Sequence, residues 1–277
     1  MGIKGLSAFL KKSCPDAWRG HTIEPSPEPQ KVAVDVSLFL HKFFYSKIKL
    51  EYGFSKLRAS LLEKNYIAVW VFDGSKLLLK AEEHERRKQV RESRTTILVD
   101  AIVIDDVRSD HPGRNEYVAV KQFLSSDETH TAKYEAEALC SYLVKTGYVY
   151  AAVTDDTDAV AYACPRIFRG AACTLDKATE VRMEDILRDL NISKSVFQTF
   201  CVLCGGDFCS NEKQIGPVSA LKKSKANIVL TERYKQVYDL FTSFCYECNA
   251  AGELVETLVE TQVESPSGSC EMESPNL

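Results

Sequence analysis

The chain has 277 residues, 45% of them hydrophobic, enough for an α/β domain of ordinary size plus a smaller unit, with a core that needs no disulfide staples. No apolar run approaches the ~20 residues that span a bilayer, and the amino terminus lacks the regions of a signal peptide, so an intracellular protein, nuclear or cytoplasmic, with no membrane partner is expected. The formal net charge of −4 is a tail effect: from Glu247 onward there are seven Glu and no Lys or Arg, and residues 1–246 carry a balance of +3.

After a short mixed segment from Gly2 to Leu10, Pro25, Pro27 and Pro29 mark a loop into the first strand. That strand, Lys31-Val32-Ala33-Val34-Asp35, ends in an acid. Helical spacing over Ser37 to Tyr45 and Phe54 to Glu63 provides a crossover of the length parallel strands require, leading to Val69-Trp70-Val71-Phe72-Asp73. The basic residues Lys76, Lys80, Arg86, Arg87, Lys88, Arg91 and Arg94 follow directly. Between about Thr95 and Ala132 no firm structure is assigned; Ile97 to Ile104 suits a strand or a buried helix, and Asp110-His111-Pro112-Gly113 a turn. Glu135 to Lys145 reads as a helix with Gly147 closing it, then Tyr148 to Val153 as a third strand entering Thr154-Asp155-Asp156-Thr157-Asp158, and Pro165 to Phe168 as another. Met183 to Phe244 is helical, broken at Gly205-Gly206-Asp207 and Gln214-Ile215-Gly216-Pro217, and the acidic segment 247–277 is expected to be disordered.

Continuous apolar runs of this kind are the buried strands of a parallel sheet, whose carboxyl ends share one ligand-binding edge. Each strand-end Asp has a plain alternative as the N-cap of the next helix. Taken together, Asp35, Asp73, Glu135, Glu137, Asp156, Asp158 and Asp207 can line one crevice. Oxygen-only donors suit Mg²⁺ or Mn²⁺ rather than zinc, and two such ions about 4 Å apart serve an in-line phosphoryl displacement. Asp156 and Asp158 face one side only where the backbone is extended, whereas Glu135 and Glu137 must sit at a helix entrance. Crowding such carboxylates raises their pKa values when no metal is bound. Lys80 and Arg87, seven apart, share one helical face about 10 Å from each other, near one phosphate step, unless Glu82, Glu83 and Glu85 simply pair with the basic residues. Two CxxC pairs, Cys201/Cys204 and Cys245/Cys248, leave a choice between a four-thiolate zinc site and core packing.

These motifs resemble the flap endonuclease/XPG family of structure-specific 5′ nucleases. Met1-Gly2-Ile3-Lys4-Gly5-Leu6 is similar to the family's amino-terminal signature, and Val32-Ala33-Val34-Asp35 and Val71-Phe72-Asp73-Gly74 to its two metal strands. Tyr134-Glu135-Ala136-Glu137-Ala138, Thr154-Asp155-Asp156-Thr157-Asp158 and Gly205-Gly206-Asp207-Phe208-Cys209 follow in the family's order. The resemblance covers residues 1 to about 225. It implies a PIN-like core with a mostly parallel central sheet flanked by helices over residues 1–190, a variable arch region at about 95–132, a helix-two-turn-helix subdomain over 191–246 and a tail over 247–277.

It further implies two Mg²⁺ ions, replaceable by Mn²⁺, held by the seven acids, with Lys80 and Arg87 positioning and activating the scissile phosphate. Gly2, His41, Arg86, Arg91 and Gly216 are carried over as nucleic-acid contacts, His41 in place of a base-stacking ring. The implied protein is a monomer that cuts DNA at a 5′ flap, nick or free 5′ end in replication, repair or recombination. The family's K⁺-binding, duplex-holding hairpin departs here: Gln214 replaces a glycine and Val218-Ser219 a basic pair, which weakens the case for K⁺. No sliding-clamp-binding peptide is visible in the tail. RNA cleavage within the same superfamily and an inactive nucleic-acid-binding scaffold are the alternatives. A phosphatase with an Asp nucleophile would want an acid where Ser37 stands.

Overall fold

A computed structural model describes residues 2–75, 78–80, 85, 112–212, 215–248 and 254–258, side chains excepted in the last two strands. The chain begins with helices α1 (Leu6–Ser13) and α2 (Pro15–Arg19) and a two-residue edge strand β1 (His21–Thr22). It then enters the sheet proper: β2 (Gln30–Asp35), α3 (Val36–Tyr45), α4 (Leu50–Glu63) and β3 (Tyr66–Phe72). After a single 3₁₀ turn over Leu78–Lys80 come α5 (Arg114–Phe123), β4 (Thr129–Thr131), α6 (Ala136–Lys145), β5 (Ala151–Val153), α7 (Thr157–Ala161), β6 (Arg166–Arg169) and β7 (Thr179–Arg182). Helices α8 (Met183–Leu190), α9 (Lys194–Cys204), α10 (Pro217–Lys225) and α11 (Glu232–Thr242) follow.

Strands β1 to β7 form one sheet in the order β1-β7-β6-β5-β2-β3-β4, with β6, β5, β2, β3 and β4 mutually parallel, β7 antiparallel to β6, and β1 antiparallel to β7 at the edge. The mostly parallel sheet expected from the apolar runs is therefore present. Strand β2 is central: the chain leaves it to one side for β3 and returns to its other side for β5. This reversal of strand order opens a crevice beyond the carboxyl ends of β2, β3 and β5, where α/β sheets bind ligands.

Both faces of the sheet are buried, which explains why the strands read as continuous apolar runs. Alternate residues serve opposite layers. Ala33, Val69, Val71, Ala152 and Ile167 face α1, α6, α7, α9 and α11, where Leu6, Leu139, Phe197, Phe200 and Phe241 are buried. Val32, Val34, Trp70, Phe72 and Phe168 face α3, α4 and α5, packing on Phe39, Phe43, Phe54 and Leu57. Cys201 and Cys204 belong to the first layer, and burial pushes the Cys204 thiol up to about 12 and the Cys201 thiol well above its ordinary value. This is the core-packing alternative for that pair; the side chains of Cys245 and Cys248 lie outside the described residues.

Two expectations need correction, and one unassigned region gains an element. Over residues 95–132, left without a firm assignment from sequence, the described part holds α5, which follows Pro112-Gly113 and buries Val120, with Leu124 just beyond its end. Its apolar positions 117, 120 and 124 keep a helical period, and the Glu116 carboxylate accepts a bond from Gly113 N at 2.8 Å, half of a capping box. Ile97 to Ile104 lies outside the described residues. The tail is also not structureless from its start, since β8 (Phe244–Cys248) pairs antiparallel with β9 (Leu254–Leu258), where Val255 and Thr257 favour extended backbone. Finally, the backbone is extended at Asp156 but helical at Asp158, because α7 begins between them at Thr157.

No helix among the described residues is long and apolar enough to cross a membrane.

Candidate active site

Capping accounts for two of the acids at the strand ends, Asp35 and Asp156, while Asp73 serves a helix further along the chain. Asp35 caps α3, accepting from Leu38 N at 3.1 Å, and also accepts from the Thr154 hydroxyl at 2.9 Å, which bridges the ends of β2 and β5. Asp156 caps α7 through Asp158 N at 3.0 Å. Asp73 reaches across to the next unit, its Oδ1 accepting from Ala136 N at 2.7 Å at the start of α6. Glu135 stands at the N-cap position of α6 without capping it, and Glu137 lies in the first turn, so both are at the helix entrance. A helix N-terminus favours negative charge.

The strand end after Asp73 is held very close to the segment before α6, with Gly74 N and Ser75 N donating to the carbonyls of Tyr134 and Lys133, each at 2.7 Å. A Cβ at Gly74 would stand 2.0 Å from the Ala132 carbonyl oxygen, so only glycine permits this approach. Gly2 is packed against the same cluster: a Cβ there would lie 2.5 Å from the Asp156 carboxylate and 2.3 Å from the Thr157 hydroxyl, which accepts from Ile3 N at 2.9 Å. Lys4 N donates to Gly205 O at 2.8 Å, pinning the amino terminus beside the loop that carries Asp207.

Desolvation sets the electrostatics. Burial, then the facing Asp73, raises the Asp35 carboxyl to about 7. Burial pushes Glu137 well above the ordinary carboxylate value, with Asp35, Asp73, Asp156 and Glu135 all adding to it. Asp158 is likewise raised well above its ordinary value by burial and Asp156, against the opposing pull of Lys80, and Glu135 is raised by burial despite Lys80. Burial works against the charge on Lys80, yet Asp158, Glu135 and Glu137 outweigh it and hold the ammonium above the usual lysine range. Its Nζ lies 2.6 Å from Glu135 Oε1, 3.4 Å from Asp158 Oδ2 and 4.3 Å from the centre of the Phe208 ring.

Among the described residues no three His, Cys, Asp or Glu side chains stand in ready ligand geometry. The donor set nevertheless fits a hard divalent cation. It is all oxygen, and two of its buried atoms, Glu135 Oε2 and Asp158 Oδ1, have no hydrogen-bond partner, a costly condition unless a cation satisfies them.

The remaining candidates are dispersed. His41 lies one turn from the exposed Tyr45 on α3, their rings 6.0 Å apart and nearly parallel. Gly216 is at the N-cap position of α10, ahead of Pro217 and an exposed Val218. Arg86, Arg87, Arg91 and Gln214 lie outside the described residues. Sequence reasoning passed over Lys42, which bridges Asp155 and the Ala171 carbonyl at the same edge. Only its position in the helix after Asp35 could have signalled it.

A pH response follows from the raised acids. Between the ordinary Asp value and about 7 the folded protein retains a proton on Asp35 that the unfolded chain releases. Metal-free stability therefore falls as pH rises through that window, at ~1.4 kcal/mol per pH unit for a single group. Melting in EDTA should occur at a lower temperature at pH 8 than at pH 5, and added Mg²⁺ should recover the loss at pH 8. A pH-independent melt would contradict the electrostatics described.

Two family models match the chain: the XPG N-terminal domain over residues 1–94 and the XPG I-region over residues 128–207, together well over half of it. Flap endonuclease 1 of Micromonas commoda is 30% identical over 253 residues, covering 81% of this chain and 66% of the relative. That of Ostreococcus lucimarinus is 30% identical over 254 residues, covering 81% and 65%. The chain thus spans just under two thirds of the length of these relatives. Among solved structures, the catalytic core of Rad2 in complex with DNA substrate superposes with a TM-score of 0.65 at 21% identity over 87% of this chain and 86% of that one. The flap endonuclease-1 of Methanococcus jannaschii gives 0.57 at 23% identity over 78% of each, which like the Rad2 match speaks to the fold. With its motifs in family order, its sheet edge gathering the acids and both regional models matched, the chain belongs to the flap endonuclease/XPG family of nucleases.

Proposed function

We propose that the protein is a Mg²⁺-dependent 5′ nuclease that hydrolyses phosphodiester bonds in DNA bearing a 5′ flap, nick or free 5′ end. The observation that carries this reading is the crowding of buried carboxylates whose raised pKa values and two unpartnered oxygens leave a deficit of positive charge at the sheet edge. Asp35, Asp73, Glu135, Glu137, Asp156, Asp158 and Asp207 would hold two divalent ions, which supply charge neutralisation at the scissile phosphate and activation of water.

The protein's own residues do the rest. Lys80, gripped by Glu135 and Asp158, presents a permanent cation to the phosphate. Thr154 and the N-terminal turns of α3, α6 and α7 fix carboxylate orientation, and preorganised charge of this kind lowers the barrier without rearrangement during reaction. Gly2, His41 and Gly216, with Arg86, Arg87 and Arg91, are proposed to contact the nucleic acid. The rings of His41 and Tyr45 offer a stacking surface. Of the proteins similar in structure, Rad2 is seen in complex with DNA substrate and human GEN1 with Holliday junction DNA, consistent with a branched-DNA substrate. The free thiols of the described cysteines suit a reducing, intracellular setting.

The test is a Mg²⁺ cleavage panel of 5′-labelled flap, nicked, blunt and single-stranded DNA beside single-stranded RNA. Cleavage of flap or nicked DNA in Mg²⁺ and none in EDTA is expected. Cutting of RNA alone would replace the DNA assignment with the ribonuclease alternative, and binding without cutting of any substrate would leave the scaffold.

A further inference from the structure

Helix α11 places a guanidinium beside the segments that carry the chemistry. Arg233, at its second position, is partly buried, and its Nη2 donates to two backbone carbonyls from distant parts of the chain: Leu79 O at 3.2 Å and Phe208 O at 3.0 Å. Leu79 immediately precedes Lys80, and Phe208 immediately follows Asp207. A single guanidinium therefore ties the segment carrying the basic residue to the loop carrying the last acid.

The neighbouring contacts reinforce the same junction. The Tyr234 hydroxyl donates to Ser210 O at 3.2 Å, and the Phe241 ring packs edge-on against Phe208 with centroids 5.4 Å apart. Phe208 in turn forms the aromatic floor 4.3 Å beneath the Lys80 ammonium. A lysine side chain has four rotatable bonds and settles wherever opposite charge is strongest. What limits Lys80 to the gap between Glu135 and Asp158 is the placement of its backbone and of the ring below it. Arg233 holds both.

We propose that Arg233 is a positioning residue that acts through Lys80, so that α11 sets the geometry of the phosphate-facing cation. The catalytic part of this statement rests on the nuclease reading above; the structural part does not.

The test uses the full chain with Arg233→Gln, Lys80→Met and the double variant, a double-mutant cycle that separates action through Lys80 from a general structural role. In single-turnover cleavage Arg233→Gln is expected to lower the maximal rate about 30-fold with half-saturation changed less than about twofold, and to cost nothing further once Lys80 is Met. In parallel, metal-free protein is treated with an amine acetylating reagent and Lys80 modification is followed by mass spectrometry. Release of Lys80 should raise its labelling rate in Arg233→Gln while other lysines are unchanged, and Arg233→Lys should restore part of the protection.

Equal slowing of the wild type and the Lys80→Met protein by Arg233→Gln would overturn the proposal, as would unchanged Lys80 labelling. Should Arg233→Gln fail to fold, Arg233→Lys carries the same cycle and the same labelling comparison. If no substrate is cut by the wild type, the nuclease reading fails, and the labelling result still decides whether Arg233 positions Lys80.

Discussion

Asp158→Asn should lower Mg²⁺-dependent cleavage by about 10³-fold or more, equivalent to ~4 kcal/mol of transition-state stabilisation, while leaving DNA binding in Ca²⁺ nearly intact. The side chain is 1% exposed, its Oδ1 has no partner, and its Oδ2 faces Lys80. Asparagine preserves shape but removes an anionic oxygen from the proposed ion site. It also removes a carboxyl that burial and Asp156 already push towards its neutral form, so the metal-free protein should melt at the same temperature or higher. Single-turnover rates, a gel-shift titration and a melt in EDTA measure the three parts. Cleavage within tenfold of wild type would remove Asp158 from the site.

Gly74→Ala should cost roughly 3 kcal/mol or more of folding stability and abolish the Mg²⁺-induced rise in melting temperature. Its Cβ would stand 2.0 Å from Ala132 O and 2.4 Å from Lys133 O, both backbone atoms with no freedom to swing aside. Relief requires the chain after Asp73 to part from residues 132–134. That breaks the bonds from Gly74 N and Ser75 N and withdraws Asp73 from Ala136 N, so stability and ion binding fail together. Gly216→Ser is the matched control: nothing lies within 4 Å of a Cβ there, and serine is a good N-cap, so denaturant unfolding should show little change. Equal effects at the two glycines would contradict the close-approach argument.

The parts of this fold that were legible in the sequence are those with local causes. Burial on both faces wrote β2 and β3 as unbroken apolar runs, and the helix that follows each carboxyl end made an acid at that point useful twice, as in Asp35 and Asp156. Gly147, at φ +75 just past α6, was readable because a left-handed position after a helix has few alternatives to glycine. Elements whose stability comes from distant partners were not legible. Strand β1 is only His21-Thr22 and exists because β7 lies alongside it. Asp73 caps a helix 63 positions away, and Arg233 meets Leu79 across 154; neither leaves a periodic trace. The helical start at Thr157 escaped because two acids spaced by two suggested extended chain, whereas a cap and the second residue of a short helix also bring them to one edge.

The nuclease reading requires divalent ions to enter the carboxylate cluster at the carboxyl ends of β2, β3 and β5. The most direct measurement is an anomalous difference map from crystals of the protein soaked in Mn²⁺ and collected at the manganese edge. The predicted result is two peaks about 4 Å apart, enclosed by Asp35, Asp73, Glu135, Glu137, Asp156, Asp158 and Asp207. Manganese bound elsewhere on a fully soaked protein, with those carboxylates unliganded, would contradict it.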